Sequence, residues 1–250
     1  MSQRTYGFLL AFFATVFAGS AALLLWYGVK SHRQAAVYGQ LAAAVQRADP
    51  TPTQAGEGTP LDEYREMSQE NPDIVGWIRI DGTDIDYPVV QRTDEPNYYL
   101  KHDFAGHYTD FGCPFAQANC DVQAPSDNVI LYGHNMKDGS MFSDLVRYQS
   151  RSFWETHRTI RFDTLTRRGE YEVLAVCKMP ADAFAFHMFV DATDAKNFAD
   201  YVAACKERAL YDTGVNAQYG DKLLTLSTCE YSQENGRLLV VAKRRNGEKL

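Results

Sequence analysis

The feature that most constrains this 250-residue chain is an unbroken apolar run near its start. Residues 7–29 read GFLLAFFATVFAGSAALLLWYGV, 23 positions without a charge. As a helix rising about 1.5 Å per residue, the run spans roughly 34 Å, enough to cross a hydrocarbon core of about 30 Å. Trp26 and Tyr27 stand near one end, where interfacial aromatics belong. A cleaved secretory signal has a shorter apolar region, about 7–15 residues, followed by a small-residue cleavage site, so the length favours an uncleaved anchor. Either way, the rest of the chain is exported. Flanking charge does not orient the span: Arg4 lies on one side, Lys30 and Arg33 on the other.

After the run, SHRQAAVYGQLAAAVQR is Ala-rich and compatible with a helix, and ADPTPTQAGEGTP is a Pro/Gly/Thr stretch that reads as a linker. The expected organisation is a tail at 1–6, an anchor at 7–29, a juxtamembrane segment and linker at 30–60, and a folded domain at 61–250. The first sixty residues carry four basic and two acidic residues. Taking these from totals of 25 and 32 leaves the domain 21 against 30, a net charge of −9. Phosphate binding needs a basic footprint, so a nucleic-acid partner is not expected. About 190 residues suffice for one well-filled core.

PLDEYREMSQEN predicts a short helix, with Pro60 near its start and Leu61, Tyr64 and Met67 on one side. From Ile74 the texture turns to β. VGWIRI, TDIDYPVVQ, NVILYGH, TIRFDTL, GEYEVLAVCKM, KLLTLSTC and RLLVVAKR are rich in β-branched, aromatic and leucine residues and bounded by turn formers. MFSDLVRYQSRSFWETH suggests one or two short helices. Phe198, Tyr201, Val202 and Cys205 follow the i, i+3, i+4, i+7 spacing of an amphipathic one. The fold class expected is mainly β (α+β), a closed barrel with peripheral helices preceded by an N-terminal helix and the membrane span.

Five cysteines, at 113, 120, 177, 205 and 229, include no C-x-x-C pair, which argues against structural zinc. Cys113 and Cys120 either form a local disulfide or remain two thiols. Cys177 and Cys205 read as small core residues. Cys229 is different: it ends one strand, EYSQENG makes a turn, and Arg237 begins the next strand. In an antiparallel hairpin the two are neighbours, with Cα atoms about 4.5–5.5 Å apart. A guanidinium there favours thiolate over thiol. His134 follows an apolar strand and a glycine in NVILYGHNM, and imidazole is a natural proton carrier for a thiol nucleophile. Taken singly, a histidine is most often structural and a strand-edge arginine a solvated charge; His102, His107, His157 and His187 keep that reading. The combination is what points to catalysis.

LTLSTCEYSQENGRLLVVAKR, with its TLxTC-type motif and an arginine on the following strand, resembles the active-site hairpin of sortases. NVILYGHNM resembles their histidine strand, and the anchor plus linker resembles their layout. YYLKHDF at 98–104, the SDN before the histidine strand, and the helix between the last β-segments look most like class B, as does a helix at PLDEYREMSQEN. The resemblance covers the chain from Leu61 onward; the Cys113/Cys120 pair has no counterpart in the family pattern.

The resemblance implies a single-pass cell-membrane enzyme with its amino terminus inside and its catalytic domain outside. Cys229 would attack the carbonyl after Thr in a C-terminal sorting signal of a secreted protein. Arg237, with a backbone N–H near Cys229, would stabilise the oxyanion, and His134 would pass protons. The thioacyl enzyme would be resolved by an amine of a cell-wall (peptidoglycan) precursor or of a pilin. Ser227, Thr228 and Leu100 are the expected substrate contacts. Class A sortases bind calcium through a carboxylate cluster; no such cluster is visible here, so neither metal nor cofactor is expected. Two rival readings share the same residues: a hydrolytic cysteine peptidase, and a non-catalytic tethered binding or pilus-associated module on the same barrel.

Overall fold

In a computed structural model of the chain, residues 3–47 and 61–245 are described. The chain divides into two compact units, residues 1–40 and 41–250. Most of the described helix α1, Gln3–Arg47, belongs to the first. It runs unbroken through the apolar run and the Ala-rich segment after it, because neither contains a proline. Phe8, Phe17 and Leu24 are exposed on it, and it is long and apolar enough to cross a membrane. The linker expected at 48–60 lies outside the described residues.

The second unit is a closed eight-stranded barrel. Its strands are β1 (Ile74–Arg79), β2 (Asp86–Val90), β3 (Phe115–Ala116), β4 (Asn128–Tyr132), β5 (Thr159–Thr164), β6 (Glu170–Pro180), β7 (Leu223–Glu230) and β8 (Gly236–Arg244). The order around the barrel is β1-β2-β3-β4-β7-β8-β6-β5, with β5 returning to β1. All pairings are antiparallel except β2 with β3 and β4 with β7. Helices α2 (Asp62–Glu70), α3 (Arg151–Thr156) and α4 (Ala195–Glu207) decorate it. The seven sequence runs each became a strand. The eighth strand, β3, has two residues and so shows no period in the sequence.

The last strands are apolar at nearly every position, not alternating, because both of their faces are covered. Leu239 and Val241 of β8 join Phe198, Tyr201, Val202 and Cys205 of α4 in one buried cluster. The intervening Leu238, Val240 and Ala242 are buried on the opposite face. Helix α4 therefore closes the outside of the β6–β8–β7 wall with the stripe read from the sequence. Asp194 caps it, its carboxylate accepting from the Asn197 N–H at 2.8 Å.

All five cysteines are free. Cys113 Sγ lies against Pro88 O at 3.7 Å and Cys120 Sγ against Asn128 O at 3.5 Å, so each thiol has its own backbone partner and the disulfide alternative is not realised. The β7–β8 turn is shorter than the seven residues expected, because β7 continues to Glu230 and β8 starts at Gly236.

Phe198 is fully buried and meets Phe189 and Tyr219 edge-on. Phe198→Ala is expected to lower the unfolding free energy of the detergent-solubilised chain by about 3–5 kcal/mol. Urea denaturation measures this; a loss below about 1 kcal/mol would mean that α4 is not part of the cooperative core.

Candidate active site

Strands β4 and β7 run parallel in register from Asn128↔Leu223 to Tyr132↔Ser227. Both therefore deliver their carboxyl ends to the same rim. Past Tyr132 come Gly133 and His134; past Ser227 come Thr228 and Cys229. The antiparallel β7–β8 ladder sets Arg237 directly opposite Cys229. Arg237 Nη1 donates to Cys229 Sγ at 3.0 Å. Of the five thiols, that of Cys229 is the partly exposed one.

The His134 imidazole is partly buried, with Nε2 at 2.8 Å from the Leu100 carbonyl. A carbonyl only accepts, so this contact assigns a proton to Nε2. Two glycines make the arrangement possible. At Gly112, φ is +64°, and a Cβ would stand 2.5 Å from Tyr99 O and 3.0 Å from Leu100 O, the carbonyl that His134 meets. At Gly133 a Cβ would come within 2.5 Å of the Phe142 ring, whose backbone N–H in turn donates to His134 O at 2.8 Å.

One cleft of about 340 Å³ is lined by Cys229, His134, Arg237, Leu100, Ser227 and Thr228, so every site residue expected from the sequence meets here. The thiol bonds Arg237 and the imidazole bonds Leu100. Sulfur and imidazole thus share a cleft without being each other's partner. Ser227 and Thr228 are buried, and the Thr228 hydroxyl donates to Gly133 O at 2.7 Å. Its proton is therefore committed to the backbone, leaving an acceptor for any ligand.

Tyr132, Asn97 and Gln117 also line the cleft and were not singled out from the sequence. Tyr132 was in plain view within NVILYGHNM. Its hydroxyl donates to Gln117 Oε1 at 2.6 Å, and burial pushes the phenol up to about 12. Asn97 and Gln117 arrive from loops that carry no periodic signal.

Beyond Cys229, burial opposes the charge on Glu230. Hydrogen bonds from the Ser232 hydroxyl and N–H, together with Lys178, outweigh it and hold the carboxyl below its ordinary range. They pin the turn that separates Cys229 from Arg237. Among the described residues, no group of three or more His, Cys, Asp and Glu side chains is placed to hold a metal ion.

Residues 78–245 match the sortase domain family. The chain is 35% identical over 205 residues to sortase B of Listeria monocytogenes, covering 81% of each. Its fold is similar to that of sortase B from Bacillus anthracis in complex with AAEK2, with a TM-score of 0.78, 32% identity, and coverage of 87% of this chain and 98% of that one. It is also similar to a Staphylococcus aureus sortase B–substrate complex, with a TM-score of 0.78, 27% identity, and coverage of 88% and 100%.

Burial pushes the thiols of Cys120 and Cys177 up to about 11 and 12, and raises that of Cys205 as well. Iodoacetamide offered to the native chain near neutral pH is therefore expected to modify Cys229 alone. Peptide mass spectrometry reads the sites, and comparable labelling of a second cysteine would contradict the burial assigned to it.

Proposed function

The chain belongs to the sortase family, as a cysteine transpeptidase of the class B type, and from that premise we propose that Cys229, His134 and Arg237 carry its chemistry at the end of a membrane tether. The observation that carries this reading is the 3.0 Å hydrogen bond from Arg237 Nη1 to Cys229 Sγ in a cleft that His134 also lines.

Cys229 gives its thiol proton to Nδ1 of His134, and the thiolate attacks the carbonyl carbon after threonine in a C-terminal sorting signal, forming a C–S bond. The carbonyl oxygen takes up negative charge. Arg237, already within reach of the sulfur, donates to it, together with a backbone N–H near Cys229. As the tetrahedral intermediate collapses, the C–N bond breaks and the leaving amine takes the Nδ1 proton of His134, while Nε2–H stays on the Leu100 carbonyl. The incoming amine, from a peptidoglycan precursor or a pilin, attacks the thioacyl carbon and returns a proton to Nδ1, from which the departing sulfur recovers it. The C–S bond then breaks and Cys229 is regenerated.

Leu100, Ser227 and Thr228 serve as substrate contacts at the cleft wall. The Staphylococcus aureus relative is known as a substrate complex, which supports reading this cleft as the place where substrate sits. Residues 1–6 form a cytoplasmic tail, 7–29 the anchor, 30–60 the juxtamembrane segment and linker, and 61–250 the extracytoplasmic catalytic domain. An apolar helix with exposed Phe8, Phe17 and Leu24 supports the anchor.

The test uses detergent-solubilised chain, a peptide library with one fixed central threonine, and triglycine as the added amine. Mass spectrometry is expected to detect a thioacyl adduct on Cys229 and a triglycine-linked product. Hydrolysis products alone would make the enzyme a peptidase. Cys229→Ala should eliminate the adduct, and turnover persisting in that variant would remove Cys229 from the mechanism.

An ammonium cannot reproduce the planar guanidinium fork, so Arg237→Lys is expected to lower kcat by about 10²–10³. Steady-state kinetics with a peptide selected from the library measures the loss. A near-normal kcat would reduce Arg237 to a packing role.

A further inference from the structure

His134 sits beyond the end of β4, and Cys229, though paired to β8, sits beyond the last residue of β7 that pairs with β4, since the β4–β7 ladder ends at Tyr132↔Ser227. Parallel strands have no tight turn joining their ends, so ladder hydrogen bonds do not set the spacing of these two residues. Four further hydrogen bonds continue the contact past the rim. Gly133 N–H donates to Ser227 O at 3.2 Å, and Thr228 Oγ1 to Gly133 O at 2.7 Å. Asn135 Nδ2 then donates to the Cys229 carbonyl at 2.9 Å, and the Tyr231 hydroxyl donates to Asn135 O at 3.1 Å.

The residue directly after the imidazole thus grips the backbone of the nucleophile residue from its side chain. The residue two past the nucleophile grips back. Asn135 is itself held from the other direction. It forms a bridge with Met141, the neighbouring His134 O accepts from Phe142 N–H at 2.8 Å, and Met136 N–H donates to Ser143 Oγ at 2.6 Å.

We propose that Asn135 is a positioning residue that, seconded by Tyr231, fixes the separation of His134 and Cys229. This rests on the roles given to those two residues above. The residue type follows from the geometry. Cys229 O can only accept, so the partner must carry a donor at amide reach. An aspartate of the same shape would oppose two acceptors. Displacing reacting groups by about 1 Å costs roughly 10²-fold in rate. Asn135 is not among the residues that line the cleft, so its loss is expected to act on kcat more than on KM.

The test compares full-length, detergent-solubilised variants on the peptide selected by the wild-type chain. Asn135→Ala is expected to lower kcat about 10- to 100-fold with KM within about twofold and an unchanged urea midpoint. Asn135→Asp should be at least as slow. Tyr231→Phe should lose less, and adding it to Asn135→Ala should cost little more, because both changes cut one chain of contacts. A kcat for Asn135→Ala near the wild-type value overturns the proposal, as does a fall in kcat matched by a fall in stability.

Should Asn135→Ala not fold, the isosteric Asn135→Asp decides in its place. If the wild-type chain turns over no peptide, the functional reading fails by itself. The positioning claim is then read from the rate of iodoacetamide capture at Cys229. That rate should fall several-fold in Asn135→Ala, and an unchanged rate would refute the claim.

Discussion

The site depends on the parallel pairing of β4 with β7, which brings residues 134 and 229 to one rim. Hydrophobic burial alone does not fix the register of two fully buried strands, because neighbouring registers bury similar surface. A polar network at the start of the pair supplies the missing specificity. Asn128, fully buried, accepts from Thr225 Oγ1 at 2.8 Å and donates to Phe189 O at 2.9 Å and to Tyr201 Oη at 3.2 Å. The backbone adds Asn128 N–H to Val190 O and Leu223 N–H to Asp127 O. A slip of one residue would turn Asn128 to the other face and strand its amide without partners, which costs far more than any single apolar contact gains. The register that satisfies Asn128 at one end of the strands is the register that aligns Cys229 with His134 at the other.

The five cysteines show how placement, rather than residue type, makes a thiol useful. Cys120, Cys177 and Cys205 are held in their neutral form by burial. Cys177 and Cys205 also lie in the cluster between the barrel wall and α4, where the charge of Arg208 does not offset burial. Cys229 sits where β7 emerges from cover, with a guanidinium at 3.0 Å supplied by its hairpin partner. One hairpin therefore provides both the sulfur and the charge beside it, and the pinned Glu230–Ser232 turn prevents the two strands from shearing apart.

Much of this was legible in the sequence because it is local. The β7–β8 hairpin needed only two apolar runs and a polar turn, and its register partner Arg237 followed from their separation. The α4 stripe and the strand runs were visible as periodicity. What escaped is non-local or too short to have a period. The pairing of β4 with β7 joins segments 95 residues apart and leaves no trace in either one. The two residues of β3 are recognisable only by what they bond. The turn length was overestimated because Glu230 and Gly236 are poor strand formers that the ladder nonetheless recruits. The spacing of Cys113 and Cys120 leaves both a disulfide and two thiols open, and the thiols face different backbone carbonyls.

The contact between His134 and Leu100 shows that the cleft wall and the proton position are not independent. Leu100 lines the cleft while its carbonyl sets the tautomer of the imidazole. Its segment would be a poor fixture if it were mobile, and its anchors lie just beyond the ends of α2 and β2 and just ahead of β1. Tyr99, buried beside it, donates to Asp73 Oδ2 at 2.8 Å and accepts from Asn71 Nδ2 at 3.0 Å. The same Asn71 amide reaches Phe104 O at 2.6 Å. Tyr98 stacks on His102 and lies under the Arg92 guanidinium. Asn71 is the residue that terminates α2, with its N–H on Met67 O. The short helix ahead of the barrel, predicted from Pro60 and its apolar side but with no role at the site, thus ends on the residue that locks the loop that orients the histidine. A perturbation of α2 would reach the imidazole through Asn71 and Tyr99, meeting the cleft only at Leu100.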